Sequence, residues 1–243
     1  MKCALLQVFD NRVFVSGNPN YPNVVWHCSL NDPTYFSDLD FYREGLDSAQ
    51  VRGLVAGNNA LWVFREPSHA NTTVFYHTPT LDEEYGKIYP STHSSVTTGC
   101  VGKAINFNDD IVFFSARGME GISGDVTTEQ VVAHRSSLVD RKMISEKDYA
   151  NMILEEWEGY LVLLCPSGNI YLADSRALYE KGGSFEYEWF FLSRFGHQNG
   201  DPAYRYSAEY PSEYRMLGDA VSDITVTIGR DDYLVRIKCT DEA

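Results

Sequence analysis

Val51-Arg52-Gly53-Leu54-Val55-Ala56-Gly57-Asn58-Asn59-Ala60-Leu61-Trp62-Val63-Phe64 reads as a β-hairpin. Two apolar runs rich in β-branched and aromatic residues flank an Asn-Asn pair, and asparagine tolerates the positive φ of a tight hairpin turn. The same phrase recurs along the chain. Asp10-Asn11 precedes Arg12-Val13-Phe14-Val15-Ser16, Asn108-Asp109-Asp110 precedes Ile111-Val112-Phe113-Phe114, and Glu158-Gly159 precedes Tyr160-Leu161-Val162-Leu163. Counted from Asp10, Asn58, Asn108 and Glu158, the intervals are 48, 50 and 50 residues. A fifth copy, Asp231-Asp232 before Tyr233-Leu234-Val235-Arg236, follows after 73.

Apolar segments at 4–9, 51–56, 101–107, 152–157 and 224–228 lead into these turns. Third strands are predicted at 24–28, 73–77 and 169–173, with the glycine-rich piece 118–124 in the equivalent place of the third unit. A more polar fourth piece closes each unit, clearest at 185–192. Four antiparallel strands every ~40 to 50 residues is the period of a propeller blade. A lone four-stranded sheet has two apolar faces and cannot cover both, so stacked units bury them in series. The prediction is an all-β, β-propeller-like fold in one domain, with four to five units and a ring that is either closed or incomplete. The units are 4–48, 50–97, 100–140, 149–192 and 219–240, with an insertion at 193–218. A β-sandwich is the alternative, but its strands recur at shorter and less regular spacing. One short helix is expected at 145–150, capped by Ser145.

The chain has 243 residues, of which 34 are Asp or Glu and 20 Lys or Arg, giving a net charge of −14. That balance argues against an electrostatic grip on nucleic acid or anionic lipid, both of which need clustered cations. The longest apolar run, 160–165, is strand-sized and far below the ~18 residues of a membrane span. Lys2 and a short apolar stretch broken by Asp10 make no secretory signal, so the expected location is the cytoplasm. Five cysteines at 3, 28, 100, 165 and 239 show no C-x-x-C spacing and read as reduced thiols in strands.

Catalytic motifs are missing. The sequence has no phosphate-binding glycine loop, no H-E-x-x-H and no nucleophile elbow. The six histidines are dispersed, with His27 and His77 in third strands as satisfied or surface imidazoles. Asp10, Asp109, Asp110, Asp231 and Asp232 occupy equivalent turns, where aspartate suits the backbone; their convergence as glycosidase acids is the alternative. Asp32, Asp38 and Asp40 lack the glycine and terminal glutamate of a calcium loop. Trp26, Trp62, Trp157 and Trp189 lie in strands and read as packing residues, with a carbohydrate platform as the alternative. No catalytic, cofactor or metal residue is assigned, and no cofactor is expected. Tyr204, Tyr206, Tyr210 and Tyr214 stand in the insertion, spread through a polar loop. Such tyrosines suit a contact surface or a loop folded back on its own domain.

Arg12-Val-Phe-Val-Ser-Gly-Asn-Pro-Asn-Tyr-Pro-Asn-Val-Val-Trp26, followed by Leu30-Asn-Asp-Pro-Thr-Tyr-Phe36, resembles β-propeller structural proteins of tailed bacteriophages and prophages. These are tail, nozzle and DNA-stabilisation components. The region from Ile105 through Glu158-Gly159-Tyr160 to Glu186-Tyr187-Glu188-Trp189 is similar in style, and the likeness spans residues 4–192. Its motifs are turns and strands, so no functional residue is carried over. Members of that group are longer, which points to a fragment, a shortened member or a domesticated prophage gene. The resemblance implies a non-enzymatic component that assembles with itself or with tail proteins and resides in the virion. An acidic wall around a DNA passage would fit, because phosphates slide past carboxylates. The alternatives are a carbohydrate-active propeller hydrolase and a bacterial propeller binding module. The hairpin at 224–239 is expected to complete a sheet within the chain or to pair with a second copy or a neighbouring tail protein, and self-association is the favoured outcome.

Overall fold

The computed structural model describes residues 2–68, 73–84, 86–94, 96–123, 131–181 and 184–192. It gives backbone alone at 123, 131, 181, 205–206, 220–221, 223–228 and 231–236. The protein is all-β, built from four-stranded antiparallel sheets with very little helix.

Sheet 1 runs β1 (Leu5–Phe9), β2 (Arg12–Ser16), β3 (Val24–His27) and β4 (Phe41–Arg43), adjacent in that order. Sheet 2 is formed by β5 (Val51–Gly57), β6 (Ala60–Arg65), β7 (Val74–His77) and β10 (Ser91–His93). A small hairpin of β8 (Thr80–Asp82) and β9 (Gly86–Ile88) is inserted before its last strand. Sheet 3 is β11 (Cys100–Phe107), β12 (Asp110–Ser115), β13 (Gly118–Ser123) and β14 (Val131–His134). Sheet 4 is β15 (Ile153–Trp157), β16 (Tyr160–Leu164), β17 (Ile170–Lys181) and β18 (Ser184–Leu192). Beyond it are the pair β19 (Arg205–Tyr206) and β20 (Ala220–Val221), and the hairpin β21 (Asp223–Ile228) with β22 (Asp231–Arg236).

The first hairpin of every four-stranded sheet turns on two residues with positive φ. These are Asp10 and Asn11 at 47° and 59°, Asn58 and Asn59 at 50° and 58°, Asn108 and Asp109 at 50° and 62°, and Glu158 and Gly159 at 48° and 82°. Two successive left-handed residues match the right-handed twist of the strands they join, which is why Asn, Asp and Gly recur there. The glycine-rich piece 118–124 forms β13 from Gly118, whose φ is +120°; Gly124 lies outside the described residues.

The chain divides into two compact units, Met1–Arg135 and Ser136–Ala243. In the first, Phe14, Val25, Leu61, Val63 and Phe75 fill the space between sheets 1 and 2. Ala60, Trp62, Phe64, Ile111 and Phe113 fill that between sheets 2 and 3. Every residue of β6 is buried, because alternate side chains enter the two cores. The strands β1 and β5 lie near each other, as do β5 and β11. A Cβ on Gly53 would sit 2.9 Å from the Ala104 Cβ, and Asn106 Nδ2 donates to the Ala56 carbonyl at 3.2 Å. In the second unit Val162, Leu164 and Ile170 form a core with Ile153, Trp157 and Leu172.

The helix lies elsewhere than the sequence suggests. A single turn, α1 (Asp140–Met143), comes first, and a 3₁₀ turn covers Tyr149–Asn151. Asp148 adopts φ 62° and ψ 51°, a left-handed conformation that breaks any helix through 145–150, and Asn151 Nδ2 holds both its carboxylate oxygens. Ser145 caps nothing; its hydroxyl donates to the Lys142 carbonyl at 2.6 Å.

Candidate interaction surface

The polar seam between sheets 1 and 2 starts from Glu44, just after β4. Its carboxylate is fully buried and receives His77 Nε2 at 2.9 Å and the Ser91 hydroxyl at 2.6 Å. His77 Nδ1 faces the Tyr89 carbonyl at 2.8 Å, so that nitrogen carries a proton. Ser91 spends its hydrogen on the carboxylate and has no histidine base, so this trio is not a nucleophile with its activating pair. Tyr42 lies 4.8 Å from His77 between ring centres, and its hydroxyl accepts the Tyr89 amide at 3.1 Å. The Tyr89 hydroxyl donates to Asp10 at 2.7 Å, and Lys87 pairs with the same carboxylate at 2.7 Å. Hydrogen bonds from Lys87 and Tyr89 hold the Asp10 carboxyl below the usual aspartate range. Burial, with the bond to Asp10, pushes Tyr89 up to about 12. Burial also lowers His27, which packs among Phe14, Tyr42 and Tyr89. The seam fixes sheet 1 on sheet 2; His27 and His77 are buried in it rather than lying on the surface.

On the other face of sheet 1, Val24 is buried, but the rest of the apolar side chains are exposed or half-buried. Leu6 pairs with Val15, Val8 with Val13, Val15 with Trp26 and Trp26 with Phe41, so these six apolar side chains share a face. Leu6 is 66% exposed, Val8 58% and Phe41 41%, while Val13, Val15 and Trp26 are half-buried. Tyr21, 54% exposed, stands edge-on to Trp26 at 6.0 Å. The opposite face carries Leu5, Phe9, Phe14, Val25 and Tyr42, all packed towards sheet 2. Contiguous exposed apolar patches mark contact surfaces more often than chance.

The turn aspartates with described side chains sit in different surroundings. Asp10 lines a hollow of about 450 Å³ with Phe9, Asn59, Thr78 and Pro79, but no second carboxylate lines it and its own is paired. Asp109 is a turn residue, as expected. Asp110 is not. It begins β12, is buried, and holds the fully buried Arg135 through two bonds of 2.7 and 3.0 Å. Gly121 makes room for that pair, since a Cβ there would lie 2.7 Å from both Arg135 Nε and an Asp110 oxygen. Asp231 and Asp232 belong to β22, where only backbone is described. Asp32 accepts the Thr34 amide and hydroxyl in a solvated loop. Among the described residues, no group of three His, Cys, Asp or Glu side chains is placed to hold a metal ion.

Trp62 is fully buried, with its Nε1 donating to the Gly57 carbonyl at 3.0 Å, and Trp189 is buried in sheet 4. Cys28, Cys100 and Cys165 are buried free thiols and Cys3 is a half-buried one. Cys239 lies outside the described residues. In the second unit, Glu146 accepts from Ser167 at 2.5 Å, Asn169 at 2.6 Å and Tyr171 at 2.8 Å, at a hollow of about 460 Å³. Those neutral donors clamp the 144–152 segment onto the turn joining β16 and β17. The side chains of Tyr204, Tyr206, Tyr210 and Tyr214 lie outside the described residues.

The sequence allowed for wet faces on the terminal units of an incomplete ring but did not single out Leu6, Val8 or Phe41. The signal was present in Leu5-Leu6-Gln7-Val8-Phe9, a run apolar on both sides, which reads as a strand covered twice.

No family model and no curated protein matches the chain. Among solved structures it is similar to a protein assigned as exported from Bacteroides fragilis NCTC 9343, with a TM-score of 0.41 and 14% identity over 77% of this chain and 58% of that one. It is also similar to apo AztD from Citrobacter koseri, with a TM-score of 0.36 and 12% identity over 82% of this chain and 59% of that one. The chain spans less than three fifths of either structure.

Proposed function

We propose that the protein is a non-enzymatic structural component of phage or prophage origin, acting through protein–protein contacts on a β-propeller-like body. The observation that carries this reading is the open apolar face of sheet 1, braced from behind by the buried Glu44–His77–Ser91 seam. A rigid sheet presenting Leu6, Val8, Trp26 and Phe41 is built to meet another protein surface, where aromatic and aliphatic anchors supply most of the contact energy. Three four-stranded sheets with like hairpin turns, packed in series through their apolar faces, are the pattern expected of propeller blades. Asp10 and Asp110 are each paired with their own cation, which favours a structural over a catalytic role for these two turn aspartates. Self-association or a tail protein is the partner, and the assembled particle is the location.

Quantitative mass spectrometry and antibody labelling of particles from a strain carrying the gene test this reading. The protein should co-purify with particles in fixed copy number. Its absence from particles, together with glycoside turnover by the pure protein, would replace this reading with the hydrolase.

A further inference from the structure

We propose that the open face of sheet 1 is the interface of a symmetric dimer, in which the same face of a second copy of this chain packs against it. The proposal rests on the assembly reading above and names the partner for that surface. Sheet 2 shows what the sequence pattern of sheet 1 calls for: β6 is apolar at nearly every position, and both its faces are covered. The strands β1 and β2 are also apolar on both sides, yet on the outer side Leu6 and Val8 are exposed and Val13 and Val15 only half-buried.

The occupant must be flat, apolar and twisted like a sheet, because two sheets pack face to face about 10 Å apart with strands within about 30°. The same face of a second copy meets all of these demands at once. Charge also permits it. The chain carries −14 overall, but none of Leu6, Val8, Val13, Val15, Trp26 and Phe41 is ionisable, so like charges do not meet at the centre. At the rim, exposed Arg43 shares this face at one end of β4, and exposed Asp38 precedes the other end, while Asp40 lies beside His27 and Tyr42 on the covered side. A two-fold axis in the plane of contact that reverses strand direction sets Arg43 of each copy over the acidic end of the other. Such a contact is isologous and closes at two copies. The exposed fractions amount to roughly 500 Å² of apolar surface per copy. Two copies therefore bury roughly 1,000 Å², at the lower limit for a specific interface, which means a weak and concentration-dependent dimer.

Sedimentation equilibrium on the full chain, from low micromolar to near-millimolar concentration, reads this directly. A monomer–dimer equilibrium with no larger species is expected. The Leu6→Glu, Val8→Glu double variant should stay monomeric throughout, with unchanged circular dichroism and melting temperature because both side chains are already in water. Arg43→Glu alone should weaken the dimer about tenfold, and adding Asp38→Arg should recover part of that loss. A wild-type chain that stays monomeric, a dimer untouched by the double variant, or an Arg43→Glu chain that dimerises as wild type would each overturn the proposal. None of these bears on whether the protein is found in particles, which tests the assembly role separately.

Discussion

Asp110 and Asp10 look alike in the sequence, each beside a hairpin turn, but they do different work. Asp110 pairs with a guanidinium that has no access to water, so Asp110→Asn removes a carboxylate from a buried charge. We expect that variant to lose about 3–5 kcal/mol in urea unfolding, the usual consequence of breaking a buried pair from one side. Asp10→Asn breaks a pair whose lysine is partly solvated, and should lose no more than about 1 kcal/mol in the same measurement. Histidine 27 sets a pH dependence. Burial lowers its folded pKa below the ordinary 6.5, so between the two values the unfolded chain binds a proton that the folded chain refuses. Its contribution is intact above about 6.5 and is lost as pH falls towards the folded value. Unfolding free energy measured against pH should drop over that window for wild type, and His27→Gln should flatten that part of the curve.

At the scale of elements, the hairpins were legible and their contacts were not. The pairs at 10–11, 58–59, 108–109 and 158–159 are chosen by local backbone sterics, and each adopts positive φ as its residue types require. The helix at 145–150 failed for an equally local reason that the residue types did not reveal, the left-handed Asp148 held by Asn151. Where strands of different sheets touch, only the tertiary structure speaks. Gly53 on β5 sits against Ala104 on β11 with no room for a Cβ. Gly53→Val should therefore force the two strands apart and lose about 1–3 kcal/mol, the typical range for overpacking. A melting curve for that variant beside one for Lys2→Ala, an exposed site, checks it.

For the whole molecule, 34 acidic against 20 basic residues make self-repulsion a global property of the chain. Salt screens such repulsion, with a Debye length of about 8 Å at physiological ionic strength. The melting temperature should thus rise from low salt to physiological salt, since exposed ion pairs such as Arg176–Asp174 have little to lose. Scanning calorimetry at several sodium chloride concentrations measures this. A fall would mean that attractive pairs outweigh the net charge.

The sequence by itself determined the all-β class, the repeat near fifty residues and the turn at the head of each sheet, because hydrophobic alternation and turn chemistry act between neighbours in the chain. Only the tertiary structure decided which side of each strand is covered. Leu5 and Leu6 are the same residue type one position apart, yet one packs against the core between sheets 1 and 2 and the other stands in water. It also decided that Glu44 meets His77, thirty-three residues away, and that Asp110 meets Arg135. Burial and charge pairing depend on which sheets stack, and that information is shared among residues far apart in the chain.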